Sequence, residues 1–222
     1  MFKKFSSYLL LVNMFYQYIN FFSWYLGSTQ IQIESAFSLG IIAFISGLAF
    51  LLFIHISYFP KELNNSAAIP TFPPLIMLFS LNLGFFIGIG NLYVIQLYKL
   101  PVFLDTFRSP ELGGLVIFVS FMLIFLAVGL FRQNEEDPNP TTQSNKLITS
   151  GIYKYIRNPM YLALVILQIG LGISLSFLHI SLMSIFTAIA LHYFIIKREE
   201  TYLRNLFGVD YENYKAKSRR WI

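Results

Sequence analysis

Two short stretches of the chain concentrate the groups able to do chemistry. The first is Gly151-Ile152-Tyr153-Lys154-Tyr155-Ile156-Arg157-Asn158-Pro159-Met160-Tyr161, and the second is Lys197-Arg198-Glu199-Glu200. Asn158 followed by Pro159 reads as the N-cap and first residue of a helix. A helix N-terminus presents unpaired backbone N–H groups and the positive end of the peptide dipoles, a setting for a carboxylate or phosphate. Arg157 adds a planar fork of donors beside it. Two adjacent acids just past an apolar helix offer a seat for an ammonium or for hydroxyls, or a salt-bridge partner for Arg157. His192 stands seven residues before Glu199, on the same face of a regular helix. There is no cysteine, which excludes disulfides, thiolate metal sites and a Cys nucleophile.

The elements that must bring these stretches together are apolar. The 222 residues are 56% hydrophobic and only 12% charged, about half the charge of a soluble domain. Six apolar segments approach the ~20 residues needed to cross the hydrocarbon: Tyr8–Leu26, Ala36–Phe59, Pro74–Tyr98, Leu112–Phe131, Met160–Phe177 and His179–Ile196. The first is the weakest, with Asn13, Gln17 and Asn20 inside it. It is preceded by Lys3 and Lys4 but lacks a small-residue cleavage pattern, so a retained span is expected rather than a removed signal peptide. The last two segments are nearly continuous, and one helix of their joint length would be twice the bilayer thickness. Ser174–His179 must therefore be a tight hairpin turn. That turn returns Glu199 and Glu200 to the neighbourhood of Arg157–Tyr161.

Charge sets the orientation. With the N-terminus inside, fourteen basic residues fall on the inner side and only Lys99 and Arg108 outside. This bias predicts both termini in the cytosol under the positive-inside rule. It also accounts for the net charge of +5 without a nucleic-acid partner. Two polar segments then share the cytosolic face: the loop from Arg132 to Asn158 and the tail from Lys197 to Ile222. Within the tail, Leu203, Leu206 and Phe207 form one stripe ahead of Gly208, predicting a short amphipathic helix with a glycine C-cap. Arg219-Arg220-Trp221 reads as an interfacial anchor. Gly84 and Gly88, four apart, predict close helix packing.

The ordered set Leu147-Ile148-Thr149-Ser150-Gly151-Ile152-Tyr153, Arg157-Asn158-Pro159-Met160-Tyr161, Glu199-Glu200 with Leu203, Phe207-Gly208, Tyr211 and Tyr214 resembles the isoprenylcysteine carboxyl methyltransferase family. That family belongs to a wider group with phospholipid and small-thiol methyltransferases. The resemblance covers roughly the last 80 residues. It implies an all-α polytopic membrane enzyme that uses S-adenosylmethionine, bound at the cytosolic ends of the last two spans. Carried over by position, Asn145, Lys146, Leu147, Ile148, Tyr153, Arg157, Asn158, Pro159, Met160, Tyr161, Glu199 and Glu200 would line the cofactor site. Residues 1–135 would be N-terminal helices and 136–222 the cofactor-binding unit.

The implied acceptor is a lipophilic carboxylate, amine or thiol reached from the bilayer, in a bacterial inner membrane. Methyl transfer from a sulfonium needs neither a metal nor a covalent nucleophile, because positioning supplies most of the rate. Two positions depart from the family pattern. Asn158 replaces a histidine, and an amide does not titrate at neutral pH. The arginine expected one turn before the acids falls at Ile195, leaving Arg198 as the nearby cation for the acceptor. Two other classes fit the same pattern. One is an NADPH-dependent membrane reductase of the sterol-reductase type. The other is a scaffold in which Arg157 and Glu199 merely pair.

Overall fold

The computed structural model describes residues 2–27, 33–62 and 66–222. Among these residues it is all-α, with no strand. Apart from two short 3-10 helices (Val102–Phe107 and Gly151–Lys154), seven helices follow one another: α1 (Phe2–Gly27), α2 (Ile33–Tyr58), α3 (Pro73–Ile95), α4 (Pro110–Gln133), α5 (Pro159–Ser174), α6 (Leu178–Phe207) and α7 (Val209–Lys217). Of these, α2, α3, α4 and α6 are long and apolar enough to cross a membrane. Among the described residues, four of the six expected spans meet that measure, and two physical features set α1 and α5 apart. The polar residues of α1 keep its composition below that of a span. In α5 the apolar run is only 16 residues, about 24 Å at 1.5 Å per residue against a hydrocarbon core of about 30 Å.

The hairpin forms where the apolar periodicity breaks. α5 ends at Ser174, Ser176 takes a left-handed conformation (φ 54°), and α6 starts at Leu178. Gly84 and Gly88 of α3 make room for this hairpin. A Cβ on Gly84 would lie 2.8 Å from the His179 carbonyl oxygen, and one on Gly88 2.3 Å from the Phe177 ring. The same end holds an aromatic core of Phe21, Phe22, Phe85 and Phe177, with Phe21 edge-on to Phe85 at 4.7 Å. Such edge-to-face pairs bring the positive ring edge to the negative face.

Midway along the bundle, Gln168 of α5 is fully buried and fully used. Its amide donates to Ser80 Oγ (3.2 Å) and the Ile180 carbonyl (3.1 Å), and its oxygen accepts from the Thr187 hydroxyl at 2.5 Å. Where no water reaches, an unpaired amide would be costly. This cross-link of α3, α5 and α6 fixes the helix register that the polar end depends on.

Inside α6, residues Leu191–Ile196 form a π-helical turn. One extra residue per turn rotates everything after it by roughly 100° relative to a regular helix. This separates His192 from the face of Glu199, although seven residues would align them in a regular helix. α6 then runs on unbroken through Lys197 to Phe207. The expected amphipathic tail helix forms as the projecting end of α6, closed as expected at Gly208 (φ 51°).

Candidate functional site

The polar end of the α5–α6 hairpin carries a cleft. Its walls are the N-terminus of α5, the projecting turns of α6, the loop after α4, and α7. Asn158 sits at the N-cap position of α5, but its side chain does not cap the helix. Its Nδ2 instead donates to the Arg220 carbonyl at 2.9 Å. Proline has no N–H, so the backbone amides of Met160 and Tyr161 are the first-turn donors at the cleft. They have no side-chain cap, as befits an anion seat.

The adjacent acids are treated in opposite ways. Glu200 is buried (8% exposed) and saturated with cations. Arg220 donates to both of its oxygens at 3.0 and 2.5 Å, and Arg157 donates to Oε1 from Nε and Nη2 at 3.3 Å each. Arg157 spends its remaining nitrogen on the Lys215 carbonyl (3.2 Å) and the Ser218 carbonyl. Glu199 also faces the cleft. Among the described residues its carboxylate has one hydrogen-bond partner, the Tyr161 hydroxyl at 2.7 Å. A carboxylate accepts about four hydrogen bonds, so Glu199 retains most of its accepting capacity.

A C-terminal strap holds this arrangement. Ile156 and Arg219 form an isolated parallel bridge. Arg157 N–H donates to the Arg219 carbonyl and Arg219 N–H to the Tyr155 carbonyl, both at 2.8 Å. The strap delivers Arg220 to Glu200, and that charge-assisted bond raises the Arg220 pKa above its ordinary value. Trp221 packs against the cluster of Tyr161, Ile195 and Ile196. The segment that reads in sequence as an interfacial anchor thus packs behind residues that line the cleft.

Aromatic side chains line the rest. Tyr153 is buried (5% exposed), and burial, with the Glu199 charge second, pushes its hydroxyl pKa far above the usual phenol range. That hydroxyl has no hydrogen-bond partner among the described residues. Tyr214 donates to the Tyr153 carbonyl at 2.8 Å, and burial pushes its pKa to about 12. Both phenols stay neutral at any working pH.

A model of the phospholipid methyltransferase family matches residues 111–210, from the first turn of α4 into α7, and so takes in both acids and the whole Arg157–Tyr161 motif. Residues 111–210 belong to that family. The family is part of the isoprenylcysteine/phospholipid methyltransferase group, as the motifs imply. An uncharacterized protein of Haemophilus influenzae is 40% identical over 67 residues, which span 28% of this chain and the whole of that protein.

In this membrane methyltransferase the cleft brings together Lys146, Leu147, Ile148, Tyr153, Arg157, Asn158, Pro159, Met160, Tyr161, Glu199 and Glu200. Two residues singled out from the sequence lie elsewhere. Asn145 is not in the lining; its backbone N–H donates to the Glu136 carboxylate at 3.0 Å. Arg198 points away and donates to the Ala68 carbonyl at 2.6 Å, because it lies about 100° around the helix from Glu199. The sequence reading missed Asp137 and Asn139 of the loop after α4, together with Arg220. It named Tyr211 and Tyr214 only as part of the motif, and both line the cleft. No group of three or more His, Asp or Glu able to hold a metal occurs among the described residues.

Beside the cleft lies a second, almost wholly apolar notch between the start of α3, α4 and α5. It is walled by Phe72, Pro73, Pro74, Ile124, Val128 and Leu164. Pro138, Asn139, Pro140, Met160 and Tyr161 line both cavities. The Phe72–Pro74 wall lies outside the family match.

Proposed function

We propose that this methyltransferase takes S-adenosylmethionine in the cleft and methylates a lipophilic acceptor whose chain lies in the adjoining notch. The observation that carries the reading is Glu199, a cleft-facing carboxylate with one partner beside an identical residue saturated with arginines. The donor set suits the cofactor. Glu199 would receive its ammonium or ribose hydroxyls, and the Met160 and Tyr161 amides its carboxylate. The unpartnered Tyr153 hydroxyl would supply one more polar contact, and Tyr153, Tyr211 and Phe131 apolar packing for the base. Lys146, Leu147, Ile148 and Pro159 would wall the site. Arg157, Asn158 and Glu200 would hold its shape through the strap rather than touch the ligand.

When bound, the sulfonium supplies an activated methyl group for in-line displacement. The chain's own contribution is then orientation and exclusion of water, worth several kcal/mol where reacting atoms are held at about 3–3.5 Å. Asn158 cannot serve as a general base. Ile195, at the position of the expected arginine, is fully buried in one cluster with Tyr161, Ala67 and Ile69. The notch opens among helices whose outer faces are apolar, such as Phe118, Phe121 and Phe125 of α4. This supports entry of the acceptor from the bilayer. The fourteen-to-two basic bias supports a cytosolic cleft, and a bacterial inner membrane is the setting we assign.

The test is transfer of tritiated methyl from S-adenosylmethionine to lipid extracts by the protein in nanodiscs. Organic-phase label made by the wild type and lost in Glu199→Gln is the expected result. Labelling of water-soluble thiols alone would contradict the lipid acceptor. Binding of NADPH without binding of S-adenosylhomocysteine would replace the reading with a reductase.

A further inference from the structure

The junction of the two cavities is where cofactor and acceptor would meet, and its polar inventory is short. Of the five residues lining both cavities, three are Pro138, Pro140 and Met160, which offer no hydrogen-bonding side chain beyond a weak thioether. The Tyr161 hydroxyl is committed to Glu199. Asn139 remains. Its Oδ1 accepts from the Thr141 backbone N–H at 3.1 Å and from the Thr141 hydroxyl at 2.9 Å. A backbone N–H only donates, so the atom facing it must be the amide oxygen, and Nδ2 is placed unambiguously. Nδ2 has no partner among the described residues.

The loop around Asn139 is stiff. The Asn139 N–H donates to Asp137 Oδ1 at 2.9 Å, and the Asn139 carbonyl accepts from the Thr142 N–H at 3.1 Å and the Thr142 hydroxyl at 2.7 Å. Successive side-chain-to-backbone turns of this kind fix a loop without help from a regular element. Asn139 is therefore a preset N–H donor, neutral at every working pH, held where an apolar notch enters a polar cleft.

We propose that Asn139 Nδ2 is a specificity-determining contact for the methyl acceptor, donating to an anionic oxygen of its head group. The inference rests on the reading of the cleft and notch as cofactor and acceptor sites. A donor with no acceptor beside it selects for oxygen. An ionised oxygen takes the strongest such bond, whereas a thiol sulfur is a weak acceptor. An acceptor that arrives ionised also needs no base at the junction, where no unpaired titratable side chain stands.

The experiment measures binding of palmitate, hexadecyl phosphate and hexadecanethiol to the protein in nanodiscs saturated with S-adenosylhomocysteine. Wild type, Asn139→Ala and Asn139→Asp are compared. The expected result is about tenfold weaker binding of one or both anionic lipids in Asn139→Ala. Asn139→Asp should weaken it further, and binding of the thiol should be unchanged in all three. Loss for palmitate alone assigns a carboxylate, and loss for hexadecyl phosphate alone assigns a phosphate oxygen. A wild type without preference for anionic lipids, or an Asn139→Ala protein that keeps that preference, overturns the inference. Titration of S-adenosylhomocysteine into the same proteins separates the two levels. Weaker cofactor binding in Asn139→Ala would overturn the role in acceptor recognition and leave the cofactor reading standing. No binding by the wild type would remove the cofactor reading and the inference with it.

Discussion

Glu199 and Glu200 are neighbours on one helix with the same side chain, yet they sit in opposite surroundings. Glu200 meets two guanidiniums, one from the hairpin motif and one from the C-terminal strap. Glu199 meets a single tyrosine hydroxyl. The difference comes from helix geometry: consecutive residues point about 100° apart, so one acid turns to the strap and the other to the cleft. An acid saturated by the protein has nothing left for a ligand, and one left under-satisfied on a concave wall does. Under the proposed function, this difference makes Glu200 architectural and Glu199 the acid that binds the ligand.

The sharpest way to break this division is to neutralise each acid and compare stability. Glu200→Gln strands two guanidiniums at a largely dry site and is expected to lower unfolding free energy by about 3 kcal/mol, read by thermal unfolding in detergent. Glu199→Gln should stay within about 1 kcal/mol of wild type. Equal losses would mean that both acids are structural.

Arg220→Met removes the bidentate half of the Glu200 cluster while Arg157 remains. Arg220 is one-third exposed, so solvent screening reduces the loss to about 2 kcal/mol. Deletion of residues 219–222 should cost at least as much, since the Ile156–Arg219 bridge goes with it. A stable deletion variant would show that the strap does not build the cleft.

Tyr153→Phe sharpens the binding side. The hydroxyl has no partner to lose, so stability should hold or rise slightly, whereas affinity for S-adenosylhomocysteine should fall about fivefold. The smallest effect is expected for Arg198→Ala. It removes an exposed side chain bonded to Ala68 and should change stability by less than about 0.5 kcal/mol and cofactor affinity not at all.

Much of this was legible in the sequence because it rests on short-range rules. The hairpin follows from the length of an apolar run, and the start of α5 from Asn158-Pro159. The meeting of Arg157 with the acid pair follows from both. Which acid meets Arg157 was not legible, because the π turn at Leu191–Ile196 alters the register of all that follows and leaves no mark in composition. Arg220 was hidden for another reason. A cation beside a tryptophan near a membrane face has the composition of an anchor, and only a bridge between residues 156 and 219 turns it inward. Asn139 lies in a Pro-Asn-Pro loop whose sequence predicts a turn but not what the turn leans over.

The central claim is that Glu199 serves a ligand and Glu200 the fold, and one titration tests it directly. S-adenosylhomocysteine is titrated calorimetrically into detergent-solubilised wild type and Glu199→Gln, both first shown to unfold at the same temperature. We expect binding by the wild type and a loss of about tenfold or more in the variant, the scale of a hydrogen bond to a charged group. Equal affinity in the two proteins, or no binding by the wild type, would contradict the account.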